Sequence, residues 1–115
     1  MLRTFCIAKI HRVKITKTDL NYAGSIGIDK ALLHASGISP MEVVRVFNVN
    51  TGERFETYTI EEKENSGTIA LYGPASRLGQ VGDPIIIITY AQLDDDEAKR
   101  LKPKIIKVDD KNRIV

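Results

Sequence analysis

Short runs of β-branched and aromatic residues, each bounded by turn residues, recur along the chain and restrict the folds open to it. The clearest pair is EVVRVFNV at 42–49 and ERFETYTIEE at 53–62, which the intervening turn residues predict to be a β-hairpin. Further runs at 2–17, 68–73 and 84–91 give six or seven short strands in all. Within 115 residues, which is the size of one domain spanning 1–115, such strands favour a closed or nearly closed β-barrel, because closure removes exposed sheet edges.

The sequence also predicts one or two short helices, so the expected fold class is mainly β. The segment DKALLHASG at 29–37 predicts a helix that Asp29 caps and Gly37 ends, with His34 on its surface. The run IIIITYA at 85–91 is predicted to be buried on both faces. After Leu93 an acidic run and a basic run alternate, which predicts a solvated periphery with one weak strand at 105–108.

The first run carries two polar side chains, Lys9 and His11, that share one face of an ideal strand. The other residues predicted on that face are apolar: Phe5, Ile7, Val13 and Ile15. The local pattern is equally consistent with polar ends that lie in water at the rim of the sheet. The run therefore leaves the role of Lys9 and His11 open.

Charge and aromatic content weigh against nucleic acid as the main partner. The net charge is +2, from 17 basic and 15 acidic residues that are mixed along the chain. The chain has no tryptophan, and its three phenylalanines and four tyrosines are not grouped along a basic strand, so a platform for stacking bases is not expected.

Membrane spans, secretion and metal sites are not expected either. The longest apolar run, at 84–91, is well short of the ~20 residues of a spanning helix. The first residues, MLRTFCIAKIHR, lack the pattern of a secretory signal, so we expect a cytoplasmic protein. Cys6 is the only cysteine and is predicted to be a small core residue. With two histidines beside it the chain has no cluster for structural zinc.

The stretch NYAGSIGID, at 21–29, places Gly24 before Ser25 between strand-forming segments. Taken alone, the pair is typical of an ordinary turn. Common catalytic motifs are missing, among them the G-x-S-x-G elbow, the P-loop and H-E-x-x-H. If the turn is strained, however, the Ser25 hydroxyl can attack the Gly24 carbonyl and exchange the amide for an ester. Elimination and hydrolysis then leave a pyruvoyl group, which is an electron sink that ordinary side chains do not provide.

Five segments in order resemble the pyruvoyl-dependent aspartate 1-decarboxylase family: LRTFCIAKIHRVKIT, TDLNYAGSIGID, VFNVNTGERFETYTI, LYGPASR and VGDPIIII. The resemblance covers nearly the whole chain. It implies a six-stranded double-psi β-barrel, assembled as a homotetramer with active sites between neighbouring protomers. It also implies decarboxylation of L-aspartate to β-alanine for pantothenate synthesis.

The resemblance implies cleavage between Gly24 and Ser25, into a β chain of residues 1–24 and an α chain of residues 25–115. Ser25 would become the pyruvoyl group that forms a Schiff base with the substrate, and Tyr58 would donate the proton that follows loss of carbon dioxide. Thr57 would contact the substrate and assist cleavage. In an ideal strand Thr57 and Tyr58 face opposite sides, so both can serve only if the strand is distorted or the site uses both faces.

Further binding residues follow from the same resemblance. Arg54 would grip a substrate carboxylate, although beside a turn it is also an ordinary surface charge. Lys9 and His11 would surround the site, and Tyr22 would be a site wall, a general acid or simply a packing residue. The small-residue turn of Gly73, Pro74 and Ala75 would present backbone N–H groups to the substrate.

The chain departs from the family pattern at two places. Tyr72-Gly73-Pro74-Ala75 stands where Asn-Gly-Ala-Ala is common, so an amide side chain and one backbone donor are lost. Phe47 stands where some members have tryptophan. Slower self-cleavage or an altered substrate preference is a hypothesis that Tyr72 raises.

Two other interpretations remain open at this point. One is a non-catalytic small β-barrel that binds nucleic acid or protein, with Gly24-Ser25 as a plain turn. The other keeps the family fold but remains an uncleaved precursor.

Overall fold

The strands form a single mixed sheet in the computed structural model, which describes all residues from Met1 to Val115. They are β1 (Arg3–Lys14), β2 (Lys17–Asp19), β3 (Ser25–Asp29), β4 (Val43–Asn48), β5 (Arg54–Glu62), β6 (Ile69–Tyr72), β7 (Pro84–Leu93) and β8 (Lys104–Lys107). The helices are α1 (Lys30–Ser36), α2 (Asp95–Arg100) and a 3₁₀ helix at Gly73–Leu78. No helix is long and apolar enough to cross a membrane.

The sheet closes on itself through the first part of the chain. The strand order is β2-β6-β3-β5-β4-β7-β1-β8, so β1 and β2 lie near opposite ends of it. Ile15 and Thr16 join these two strands, and the Thr16 N–H donates to the Ile69 carbonyl at 2.8 Å. The predicted mainly β barrel is confirmed. The sheet has eight strands where the resemblance implied six, and the three-residue β2 and four-residue β8 lie at the two ends of the order.

The core lies inside this barrel and consists mostly of aliphatic side chains. Alternate residues of β7, Ile85 and Ile87, are fully buried in it. The prediction that β7 is buried on both faces is only partly right, because Ile86 and Tyr90 on the outer face are half-buried. Cys6 is also half-buried, which corrects its assignment to the core. The outer face of β7 is therefore a partly covered surface.

The predicted face of the first strand is wrong because β1 contains bulges. Its pairing with β7 shifts between Ile10 and Val13, and Arg12 between them has φ of +62°. Ala8 and Ile10 point into the core on one side of the bulge, and Val13 does so on the other. An inserted residue reverses the alternation of a strand. Lys9 and His11 consequently share the outer face with each other but not with Val13.

The hairpin and the first helix lie where the sequence predicts them. β4 and β5 pair in antiparallel register, and α1 begins after Asp29 and ends at Gly37, which has φ of +76°. His34 is exposed, as predicted. The Asp29 carboxylate accepts hydrogen bonds from three backbone N–H groups, those of Ala31, Asn65 and Gly67. It therefore ties α1 to the loop that enters β6.

The C-terminal segment is more ordered than a solvated periphery. Helix α2 was not predicted, although Asp94 and Glu97 form a capping box whose sequence signal was present. Asn112 is buried, and its side-chain amide donates to the carbonyls of Lys14 and Gly67 at 2.9 Å each. Its side-chain oxygen accepts from the Lys14 N–H. The Asn112 side chain thus joins the tail to the end of β1, beyond the pairing of β1 with β8.

Asn112→Ala should lower the free energy of unfolding by about 3 kcal/mol. The change removes three hydrogen bonds, leaves a buried carbonyl unpaired and places alanine at φ of +59°. Urea unfolding followed by circular dichroism measures the loss. The matched control is Asn65→Ala, because Asn65 has φ of +62° but is exposed and makes no side-chain hydrogen bond. It should cost about 1 kcal/mol. Equal losses in the two variants would contradict the role of the Asn112 amide.

Candidate active site

Ser25 opens β3, a five-residue strand in which every residue is buried. Ile26 and Ile28 point into the core, so the alternation of the strand places Ser25 and Gly27 on the outer face. Only 1% of Ser25 is exposed, and its Oγ lies 3.5 Å from the Ala23 carbonyl oxygen. The hydroxyl is therefore held over the backbone of the residues just before it, beside the Gly24 carbonyl.

The loop before Ser25 lies directly against the turn that follows β6. A Cβ atom on Gly73 would come within 2.8 Å of both the Gly24 Cα and the Tyr22 carbonyl oxygen. Gly73 also has φ of +65°, which other residues rarely adopt. Pro74 Cδ lies 3.3 Å from the position of a Cβ on Gly24. Glycine at 73 is thus what allows the two backbones to meet.

A cavity of about 230 Å³, here called the Gly24 cavity, adjoins this contact. It is lined by Gly24, Phe55, Glu56, Thr57, Tyr72, Pro74, Ala75 and Leu78. Five residues singled out from the sequence (Gly24, Thr57, Tyr72, Pro74 and Ala75) are therefore brought together although they come from three parts of the chain. None of the lining residues carries a positive charge.

Tyr58 does not line the Gly24 cavity. It pairs with Val43 on the outer face of β5, while its neighbour Thr57 pairs with the buried Val44. In the parallel pairing of β3 and β5, Ile26 lies opposite Thr59, so one residue earlier Tyr58 lies beside Ser25. Thr57 and Tyr58 thus approach the Gly24-Ser25 segment from the two faces of β5, without distortion of the strand.

The predicted cationic residues lie elsewhere on the outer surface. Lys9 of β1 lies opposite Ile88 of β7, and Ile88 lies opposite Arg45 of β4. Arg54 of β5 lies opposite Phe47 of β4. These strands carry what we call the cationic face, made of Lys9, His11, Arg45 and Arg54. In the sheet order β1 lies four strands from β3, and Arg54 is about 13 Å along β5 from Tyr58. Within one chain, none of these side chains lines the Gly24 cavity, although the surface beside Arg45 and Arg54 adjoins it through Phe55 and Glu56.

Arg54 is held in place but forms no ion pair. Its guanidinium carbon lies 4.4 Å from the centre of the Phe47 ring, and that of Arg45 lies 5.1 Å from the Tyr90 ring. These contacts line a shallow depression of about 380 Å³ on the cationic face. Stacking on an aromatic face orients a guanidinium while its N–H groups remain free. Arg54 is therefore available to a carboxylate.

His11 contributes no charge near neutral pH. Burial and the neighbouring charges of Lys9, Arg12 and Lys107 hold the pKa of His11 below its usual value. Its Nδ1 atom is buried and has no hydrogen-bond partner within the chain. An unpaired buried nitrogen is costly, so His11 Nδ1 is an unsatisfied polar atom in the structure of the single chain.

Tyr72 makes contacts that the sequence did not indicate. Its hydroxyl donates to Glu62 Oε2 at 3.1 Å, and its ring lies 4.3 Å from the ring of Tyr22. Burial, together with the charge and hydrogen bond of Glu62, raises the pKa of Tyr72 to about 12. The phenol therefore keeps its proton near neutral pH. Glu62 gave no local signal, because its partner is ten residues away on a strand to which β5 is not paired.

Known proteins resemble this chain over its whole length. Residues 1–115 match the model of a family described as aspartate decarboxylase. An aspartate 1-decarboxylase of Thermoanaerobacter pseudethanolicus is 54% identical over all of this chain and 98% of the relative. That of Carboxydothermus hydrogenoformans is 52% identical over all of this chain and 91% of the relative, and that of Neisseria meningitidis is 51% identical over 99% and 90%.

Among solved structures, a rationally designed protein named mkDPBB_sym_86 aligns with a TM-score of 0.45 and 18% identity. The alignment covers 69% of this chain and 91% of the designed protein.

Gly73→Ala should destabilise the fold by about 3 kcal/mol, because the added methyl group meets the backbone of the 22–24 loop in addition to the strain of a positive φ. The matched control is Gly52→Ala. Gly52 has φ of +77° but nothing within 4 Å of the added Cβ, so only the strain of about 1 kcal/mol applies. Urea unfolding of both variants measures the difference, and equal costs would refute the close contact at Gly73.

Proposed function

The chain belongs to the aspartate decarboxylase family, and we propose that it converts L-aspartate to β-alanine and carbon dioxide with a pyruvoyl group made from its own Ser25. Production of β-alanine for pantothenate synthesis is the role known for this family. The observation that carries the proposal is the buried Ser25 hydroxyl, held against the backbone of the segment that ends at Gly24. The Gly24 cavity gives that segment a space in which to react.

Self-cleavage begins when Ser25 Oγ attacks the Gly24 carbonyl carbon, and the C–N bond then breaks to leave an ester and a free amine. Removal of the Ser25 Cα proton expels the Gly24 carboxylate and leaves a dehydroalanine. One water molecule then replaces the amine, which departs as ammonia, and a ketone remains at residue 25. The products are a β chain of residues 1–24 and an α chain of residues 25–115. The chain thus starts as a precursor that activates itself.

Thr57 is proposed to stabilise the oxyanion that forms during the first step. Its side chain lines the same cavity as Gly24, and a hydroxyl donor aimed at a developing oxyanion is a strong source of rate enhancement. Ala75 also lines this cavity, and its backbone N–H and that of the nearby Gly73 are proposed as further donors, whereas Pro74 between them has none. These small residues leave room for a substrate once cleavage has opened the loop.

The pyruvoyl group supplies a carbonyl that condenses with the substrate amine and accepts the electron pair left by carbon dioxide. The residues present fit such a group, because the position is enclosed and has a hydroxyl on either side of β5. Tyr58, which lies beside Ser25 in the strand register, is proposed to deliver a proton to the carbon that has lost carbon dioxide.

A neighbouring protomer is proposed to complete the site. L-aspartate carries two carboxylates, yet no cationic side chain lines the Gly24 cavity. The cationic face offers Lys9 on β1 and an unpaired Arg54, whose depression adjoins the cavity only through Phe55 and Glu56. Exposed apolar side chains such as Val43, which is 56% exposed, lie on the same outer surface. A homotetramer that places this face over the next protomer's cavity would supply the missing charge.

The proposed location is the cytoplasm. Cys6 is unpaired and the chain has no disulfide, as is typical of proteins from reducing compartments. A non-catalytic barrel that binds nucleic acid is not favoured, because the family and its relatives are decarboxylases and the charges are evenly mixed.

Denaturing mass spectrometry of the purified protein should find two fragments that meet between Gly24 and Ser25. The larger fragment should be lighter than a serine-headed peptide by the mass of ammonia, because the amine is lost when the ketone forms. Ser25→Ala removes the nucleophile and should give one intact chain without activity. A single uncleaved wild-type chain that turns over L-aspartate, or that binds DNA in a salt-sensitive way instead, would contradict the proposal.

Assemblies made from two different variant chains should show whether Ser25 and Arg54 act from different protomers. Ser25→Ala chains lack the reactive group, and Arg54→Ala chains lack the proposed carboxylate ligand, so each should be inactive alone. Co-expression should restore about a quarter of wild-type turnover, because that share of randomly formed interfaces joins an intact Ser25 to an intact Arg54. Mass spectrometry of the Arg54→Ala chain checks that it still cleaves. Inactive mixtures would show that Arg54 serves the site of its own chain, and an active Arg54→Ala chain would show that it serves no site.

A further inference from the structure

Glu62 reaches across a whole strand to meet Tyr72. Glu62 ends β5 and Tyr72 ends β6, and β3 lies between these two strands. The carboxylate crosses β3 at Gly27, where a Cβ atom would come within 2.5 Å of Glu62 Oε2. The hydrogen bond from the Tyr72 hydroxyl is 3.1 Å long. The absence of a side chain at Gly27 is therefore what lets the two outer strands be joined above the strand that Ser25 begins.

The Tyr72 ring also contacts Tyr22, which lies in the loop that self-cleavage would cut. The ring centres of Tyr72 and Tyr22 are 4.3 Å apart, with planes tilted by 35°. Tyr72 is also the Cα partner of Ser25 across the β3–β6 pairing. Lys17 Nζ lies 5.4 Å from the Tyr72 ring and adds a cation contact to the same group. A continuous series of contacts thus runs from Glu62 through Tyr72 to Tyr22.

We propose that Glu62, Tyr72 and Tyr22, here called the tyrosine cluster, position the Gly24 carbonyl for attack by Ser25. The inference rests on the proposed self-cleavage and adds Glu62 to it. These are positioning residues, since none of their side chains bonds to the Ser25 hydroxyl. The backbone of Tyr22 precedes the scissile peptide by two residues, so holding its ring restricts the Ala23 and Gly24 peptides.

Apart from the backbone contact at Gly73 and a hydrogen bond from the Asn21 N–H to Asp19, this loop has few other contacts that order it. Leu20 is 45% exposed and Tyr22 is 52% exposed, and residues 20–24 lie outside any strand. Ordering a backbone residue that is otherwise free costs conformational entropy, and that cost would be added to the barrier for attack. Tyr22 is the loop's one large side chain with a defined aromatic partner.

Tyr72 is itself fixed more firmly than stacking alone allows. Its hydroxyl is bonded to a carboxylate, and such charge-assisted hydrogen bonds are stronger than neutral ones. The hydroxyl is therefore engaged away from the substrate, and its contribution is to hold the ring. This chain has Tyr72 where the family typically has an amide side chain. The contacts of Tyr72 with Glu62 and Tyr22 give this residue a positioning role.

The test measures the first-order rate of self-cleavage of precursor made by cell-free translation, followed on denaturing gels. Glu62→Ala and Tyr72→Phe each remove the hydrogen bond and should slow cleavage roughly ten-fold. The double variant should be no slower than either single one, because both changes remove the same interaction. Glu62→Gln keeps the side-chain length and an acceptor oxygen, so it should recover most of the rate.

Glu61→Ala is the matched control, since Glu61 is the adjacent exposed glutamate and has no contact with Tyr72; it should cleave at the wild-type rate. Each change is also made on a Ser25→Ala background, where thermal unfolding of the uncleaved chain checks the fold. Wild-type cleavage rates in folded Glu62→Ala and Tyr72→Phe would overturn the inference and leave the proposed function intact. Additive slowing in the double variant, or no recovery with Glu62→Gln, would also overturn it. Failure of the wild type to cleave would instead refute the proposed function.

Discussion

The placement of β3 between β5 and β6 is the constraint on which the rest of the site depends. This strand has only five residues, all buried, and it pairs in parallel with β5 and in antiparallel with β6. The two pairings bring residues from three distant parts of the chain around one peptide bond. Parallel pairing with β5 sets Tyr58 beside Ser25 and turns Thr57 toward the Gly24 cavity. Antiparallel pairing with β6 brings the Gly73 turn against the loop.

Glycine is what makes these close approaches possible. Gly73 lets the turn touch the backbone of the 22–24 loop, and Gly27 leaves the gap through which Glu62 reaches Tyr72. A methyl group at either position would occupy space that now holds another part of the site. The segment at Gly24 is therefore bordered by the backbone of the Gly73 turn and by the partly buried hydrogen bond between Tyr72 and Glu62. The positive charges that a dicarboxylate requires lie outside the lining of the Gly24 cavity, although the depression beside Arg54 adjoins it through Phe55 and Glu56.

Much of the fold was predictable because its signals are local. The hairpin at β4 and β5 follows from alternation and turn residues, and α1 follows from Asp29 and Gly37 at its ends. The prediction failed where one residue interrupts the alternation, because Arg12 adopts a positive φ that no propensity indicates. It also missed α2, whose capping box was visible, and the buried Asn112, whose partners are far away in sequence.

By itself, the sequence determined the mainly β barrel, the family and the serine on which the proposed chemistry rests, because these depend on composition, alternation and ordered motifs. Only the tertiary structure decided which of the singled-out residues meet. It gathers Gly24, Thr57 and Tyr72 at one cavity and leaves Lys9, His11 and Arg54 outside the lining of that cavity. The reason is that the face on which a side chain lies, and its distance from the other side chains, depend on strand order and bulges. These are set by contacts between residues that are far apart in the sequence. The bond between Glu62 and Tyr72 exists only because an intervening strand carries glycine where they cross.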